Sequence, residues 1–151
     1  MKAIELGIGI AGIKFGMTKA EVEQILGQPD DKEQELYGEE EEAMLESWHY
    51  DEKDLSVGFD EDEDWRLITV AVSDEKYTLK EKSVIGLSLE KMIDTLNSIG
   101  IDELELEEDE EISVLYADDH SMKIWLEDKV VTEVQWGPLF KDEDTIDWPS
   151  K

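Results

Sequence analysis

Two helix openings, seventy positions apart, limit what this chain can fold into more than any other feature. The first lies in Phe15-Gly-Met-Thr-Lys-Ala-Glu-Val-Glu-Gln-Ile-Leu-Gly-Gln-Pro29 and the second in Ile85-Gly-Leu-Ser-Leu-Glu-Lys-Met-Ile-Asp-Thr-Leu96. In each, a Gly and a bulky apolar residue precede a hydroxyl residue, Thr18 or Ser88. A hydroxyl there caps a helix by accepting a hydrogen bond from an orphan amide of the first turn. Glu21, three residues after Thr18, completes a capping box, and Met17 with Val22 and Leu87 with Met92 have the spacing of hydrophobic staples. Gly27 stops the first helix, with Pro29 just beyond, and Gly100 stops the second. The spacing predicts helices over about 19–26, with Val22, Ile25 and Leu26 inward, and over about 89–99.

Between and after the helices the pattern changes to alternation. Ser47-Trp-His-Tyr50 reads as a short strand with Trp48 and Tyr50 on the core side and His49 outward. Leu55, Val57 and Phe59 share one side of a second strand, and Trp65–Val72 is apolar on both faces, as a central strand is. In the second half, Ile112–Tyr116, Met122–Leu126 and Val130–Trp136 are separated by turn signals at Asp118–His120 and Glu127–Lys129. The polar run with Glu39–Glu42 and the acidic run Asp102–Glu111 read as solvated loops, residues 2–13 as an opening extended segment, and 141–151 as an acidic tail. The resulting expectation is an α+β fold. It is one domain over 1–151 made of two fused helix-plus-antiparallel-sheet (α-β-β-β) repeats, about 13–80 and 84–140.

Charge narrows the function classes. Forty-two acidic residues against fourteen basic ones give a formal charge of -28. That repels nucleic acid and anionic membranes and attracts a basic partner. Arg66 is the only arginine, so forked recognition of phosphate is nearly excluded. An apolar content of 40% with five Trp is that of a folded protein. Without Cys there is no disulfide, thiolate catalysis or Cys-ligated zinc. The apolar N-terminal stretch is interrupted by Glu5 and is too short to span a bilayer. A cytoplasmic protein is expected.

Catalytic signatures fail one by one. Gly7-x-Gly9-x-x-Gly12 matches a dinucleotide fingerprint as a string, yet the helix it would have to open starts at Thr18. Asp60-x-Asp62-x-Asp64 resembles the start of a calcium loop, but its sixth and twelfth positions are Trp65 and Ala71 rather than Gly and Glu. His49 and His120 belong to no hydrolase or zinc motif. The positive signal is Trp125: with Met122, Ile124 and Leu126 inward, it faces out with Lys123 and Glu127, as an anchor of a binding surface does.

The string Gly16-Met-Thr-Lys-x-Glu-Val-x-x-Ile-Leu-Gly-x-Pro29, followed by Trp48-x-Tyr50 and an alternating strand pair, resembles a known small repeat. It is similar to the lipoprotein component of the outer-membrane β-barrel assembly machinery and, duplicated, to the β-lactamase inhibitor protein. The likeness covers residues 13–73 well and 84–136 by pattern. It implies paired helix-plus-sheet units that present an aromatic-bearing sheet face to a protein partner. The chain departs from both in having no Cys, neither for a lipid anchor nor for a disulfide.

The expected function is a non-enzymatic, cofactor-free module that binds a basic protein, most concretely an immunity or inhibitor protein masking a toxin. The chain would be a monomer or weak dimer. Expected contact residues are Trp125 and His49, with two acidic loops contributing Asp60, Asp62 and Asp64, and Glu107, Glu108 and Asp109. Two alternatives remain open: a structural or regulatory domain whose charge serves solubility, and a carboxylate- or metal-dependent hydrolase.

Overall fold

The two capped helices form where the sequence places them, and eight strands organise around them. A computed structural model describes residues 2–37, 43–142 and 145–149; Glu39–Glu42 therefore lies outside the described residues. Helix α1 spans Lys19–Leu26 and α2 spans Leu89–Ser98. Thr18 Oγ1 accepts from the Glu21 amide at 3.2 Å and Glu21 returns the bond at 3.1 Å, so the capping box is complete. Ser88 Oγ accepts from the Lys91 amide at 3.2 Å. Helix α1 buries Val22 and Leu26, one turn apart, but leaves Ile25 45% exposed. Ile25 was expected inward; in a helix of eight residues only the i, i+4 pair points squarely at the sheet.

The main strands are β1 (Asp31–Tyr37), β2 (Ala43–Tyr50), β3 (Leu55–Asp60), β4 (Arg66–Val72), β5 (Glu105–Glu108), β6 (Ile112–Ala117), β7 (Met122–Glu127) and β8 (Val130–Trp136). They form one eight-stranded sheet in the order β5-β6-β7-β8-β4-β3-β2-β1, antiparallel at every step. Three of the tight connections are single 3-10 turns, Asp51–Lys53, Glu61–Glu63 and Asp118–His120, each closed by a left-handed residue, Asp54, Asp64 or Ser121. Polar residues with short side chains tolerate that conformation.

This overturns the expected α+β architecture of α-β-β-β units. The protein is mostly β, with one large eight-stranded sheet and only two α-helices among the described residues. Two physical reasons account for the difference. Residues 31–37 and 105–108, read as solvated loop, are the sheet's two edge strands; they are held by backbone pairing and carry carboxylates, which keep other strands off an open edge. In addition, β4 and β8 pair with each other through Val72 with Val134, Ala71 with Gln135 and Val70 with Trp136, which fuses the two four-stranded meanders into one sheet.

The core lies on one face of that sheet. Trp48, Tyr50, Leu55, Val57, Phe59, Val70, Val72, Met122, Ile124, Leu126, Val134 and Trp136 are buried there. Against them pack Ile4, Ile10, Ile13 and Phe15 of the N-terminal segment, Val22 and Leu26 of α1, and Met92 and Leu96 of α2. Full burial of each large side chain contributes roughly 1.5–3 kcal/mol. Residues 2–3 pair in parallel with Tyr77–Leu79, and the Gly-rich stretch forms a two-stranded hairpin, Gly9–Ile10 with Ile13–Lys14. The described part of the tail folds back. Leu139–Phe140 pairs with Ile146–Asp147, and Trp148 packs beside Gly16, where an added Cβ would lie 3.0 Å from the indole.

One carboxylate sits on the core side. Glu46, 7% exposed, precedes Trp48 on β2 and accepts from Gln34 Nε2 and Trp48 Nε1, each at 2.6 Å. Lys19 Nζ, at the start of α1, is 3.1 Å from the same carboxylate and 3.9 Å above the centre of the Trp65 ring. This network ties α1 to β1 and β2. Burial raises the Glu46 pKa, but hydrogen bonds from Gln34, Trp48 and Lys19, together with the Lys19 charge, outweigh it and hold the carboxyl below its ordinary value.

Candidate functional site

The opposite face of the sheet carries no covering layer among the described residues, and its side chains are exposed or half-buried with few exceptions. Its make-up follows from the two-residue period of the strands. One row crosses all eight strands in register: Asp31, His49, Ser56, Ala71, Gln135, Lys123, Tyr116 and Glu105. The neighbouring row on the β5–β8 side is Glu107, Val114, Trp125 and Glu133, and the next is Ile112, Glu127 and Val130. An apolar strip of Ile112, Val114, Trp125 and Val130 thus runs beside Tyr116, rimmed by Glu105, Glu107, Glu127 and Glu133.

Trp125 lies inside this strip, half-buried, with its indole N–H without an acceptor. The register shifts between Trp125 and Leu126, with Thr132 of β8 as the extra residue of the bulge, and Thr132 Oγ1 donates to the Trp125 carbonyl at 3.3 Å. Directly opposite Trp125 on β8 is Glu133. Burial pushes the Glu133 carboxyl above its ordinary value, and His49 draws it partly back.

His49 faces this surface as expected. Its Nδ1 is 2.8 Å from Ser56 Oγ, and its Nε2 is 3.7 Å from the nearest Glu33 oxygen, beyond hydrogen-bond range. These three line a cleft of about 390 Å³ with Asp31, Asp51, Asp54 and Ser73. The trio has the residue types of a hydrolytic relay, but Ser56 lies in β3 with ladders on both sides, so the amides around it are committed to β2 and β4. An acyl-transfer site needs amides free to face the oxyanion. Among the described residues no group of three or more His, Asp or Glu side chains is placed to hold a metal ion.

The acidic contact residues are dispersed. Asp60 is 7% exposed and its Oδ1 caps the 61–63 turn by accepting from the Asp62 amide at 2.9 Å, so it is a structural residue. Asp62 and Asp64 are exposed on that turn, at the end of the sheet where β4 begins. Asp109 is at the opposite end, beside the start of β6, where its Oδ1 accepts from the Glu110 amide at 2.8 Å. Glu107 lies on the uncovered face and accepts from the Tyr116 hydroxyl at 3.1 Å, whereas Glu108 points to the other side of β5. The two loops expected to steer a partner jointly are therefore separated by the sheet. What the structure brings together instead is Trp125, Glu133, Val114, Tyr116 and Glu107. Glu133 was missed because its pairing with Trp125 depends on the β7–β8 register, which shifts at a bulge; the inward alternation of Val134 and Trp136 was the available signal for its facing.

No helix among the described residues is long and apolar enough to cross a membrane. Comparison of the chain with protein-family models, curated proteins and solved structures finds no match in any of the three.

Proposed function

We propose that the protein is a non-enzymatic binding module for a basic protein, most concretely an immunity or inhibitor protein that occludes a toxin. The observation that carries this reading is the uncovered sheet face, with half-buried Trp125 in an apolar strip rimmed by Glu105, Glu107, Glu127 and Glu133. Aromatic anchors surrounded by polar rims dominate binding energy at protein interfaces, and the charge of -28 speeds encounter with a cationic partner. The contact is thus assigned to the sheet face, with the 61–63 and 109–111 turns acting at longer range. A chain without Cys suits the cytoplasm.

The test is capture from host lysate at low salt followed by stepwise salt elution, run in parallel on the wild type, Trp125→Ala and a turn variant, Glu61→Gln with Asp62→Asn and Glu63→Gln. The expected result is one stoichiometric basic protein, released by salt, kept by the turn variant and lost by Trp125→Ala. Identical diffuse sets of basic proteins on all three would refute the proposal.

A further inference from the structure

We propose that Trp125 and Glu133 form a receptor for a single arginine side chain of the partner. This rests on the reading of the uncovered face as the partner surface and names what it recognises there. The argument starts from how this chain treats its own tryptophans. Three of the five are half-buried: Trp65, Trp125 and Trp148. Lys19 lies 3.9 Å above the Trp65 ring, and Arg66 lies 5.5 Å from the centre of the Trp148 ring. Even buried Trp48 has Lys32 Nζ at 4.8 Å. Among the described residues no cation covers Trp125. The nearest candidate on its own strand, Lys123, sits instead over Tyr116 at 5.9 Å.

Trp65 shows what completes such a site, because the cation on it also meets the Glu46 carboxylate at 3.1 Å. Trp125 has the matching carboxylate in place: Glu133 is its directly opposed cross-strand neighbour on the same face. An indole face and a carboxylate side by side take a cationic side chain, as Lys19 shows at Trp65, and a guanidinium can use both at once. The planar group stacks on the ring while its fork of N–H donors engages the carboxylate oxygens. Val114 on the other side of Trp125 and Ile112 beyond it give the aliphatic stem of the arginine an apolar track. A partly desolvated carboxylate strengthens such a bond, since less water has to be removed when the cation arrives. The same geometry disfavours an acidic or neutral side chain, which would leave Glu133 unpaired.

The site can be tested without the partner. Nitrogen-15-labelled protein is titrated with the blocked tripeptide acetyl-glycyl-arginyl-glycine amide and with its citrulline counterpart, which keeps the shape and loses the charge. The readout is the Trp125 indole N–H signal, assigned by its disappearance in Trp125→Phe. The arginine peptide is expected to shift that signal saturably. Citrulline, or Glu133→Gln in the protein, is expected to weaken the response by at least about tenfold, the equivalent of one lost charge-assisted hydrogen bond. The turn variant of residues 61–63 is expected to respond like the wild type. Equal responses to arginine and citrulline, an unchanged response in Glu133→Gln, or shifts confined to the acidic turns would overturn the proposal. A captured protein partner that binds Glu133→Gln as tightly as the wild type would also overturn it while leaving the binding-module reading standing. A lysate with no partner, alongside a charge-dependent peptide response, would support this site and remove that reading.

Discussion

Replacing Glu46 by Gln should unfold the protein at a clearly lower temperature, although the side chain keeps its size. In the native state Gln34, Trp48 and Lys19 all donate to one carboxylate, at 2.6, 2.6 and 3.1 Å. A glutamine offers one carbonyl oxygen, and its amide nitrogen would face a donor where the second carboxylate oxygen had been. Hydrogen bonds to a charged acceptor are each worth about 1.5–3 kcal/mol, and a buried donor left unpaired costs about 1–3 kcal/mol. Lys19 is 31% exposed and recovers part of its loss by turning to water. The net cost works out at about 2–4 kcal/mol. For a chain of 151 residues that lowers the melting temperature by roughly 5–15 °C.

The assay is thermal unfolding followed by circular dichroism at pH 7 and again near pH 3. Because the folded-state pKa of Glu46 is depressed, its contribution is fully present above the unfolded value and is lost as pH falls through the folded one. The gap between wild type and Glu46→Gln should therefore be wide at pH 7 and narrow in acid. A change below about 2 °C at pH 7, or a gap as large at pH 3 as at pH 7, would refute the account. Lys19→Met should cost less than Glu46→Gln, since it removes one donor and leaves two bonds intact.

Three further expectations use the same measurement. Glu133→Gln should raise stability at neutral pH, because the folded-state pKa is raised and the ionised form is penalised on folding; the gain should fade as pH drops toward the ordinary carboxylate range. Gly58→Ala should destabilise by about 1–3 kcal/mol, since an added Cβ would run into Thr69 Oγ1 on the adjacent strand, and Thr69→Ala in the same chain should restore most of the loss. Thr18→Ala should cost about 1 kcal/mol by removing the cap of α1, a loss visible as a drop of a few degrees, with Glu21→Ala giving a smaller one.

How much of this could be read from the residues depends on whether a position is set by local chemistry or by a distant strand. Both helices were legible because Thr18 and Ser88 cap them and glycines stop them, and the inward sides of 55–59 and 122–126 were legible because apolar side chains alternate there. The edge strands were not. All four side chains of Glu105–Glu108 are exposed, so no apolar face marks the strand, and its pairing with β6 is a backbone property that side chains do not announce. The joining of β4 to β8 was equally hidden: the 65–72 segment read as apolar on both faces, as a central strand is, which any neighbour would have satisfied. Trp125 was placed on its correct side, while its partnership with Glu133 needed the β7–β8 register, which shifts at a bulge.

The join between β4 and β8 also dictates a sequence in time. Every other neighbouring pair in the sheet is a hairpin or near-hairpin, β1 to β4 lying within residues 31–72 and β5 to β8 within 105–136. The β4–β8 ladder has three residue pairs, with 62 positions separating Val72 from Val134. Closing a long segment costs more chain entropy than closing a turn, and it brings few contacts until the strands on both sides exist. The two meanders are thus expected to form early in folding and their union late. In the folded protein the same line is where exchange of backbone hydrogens with solvent should be fastest among the central strands.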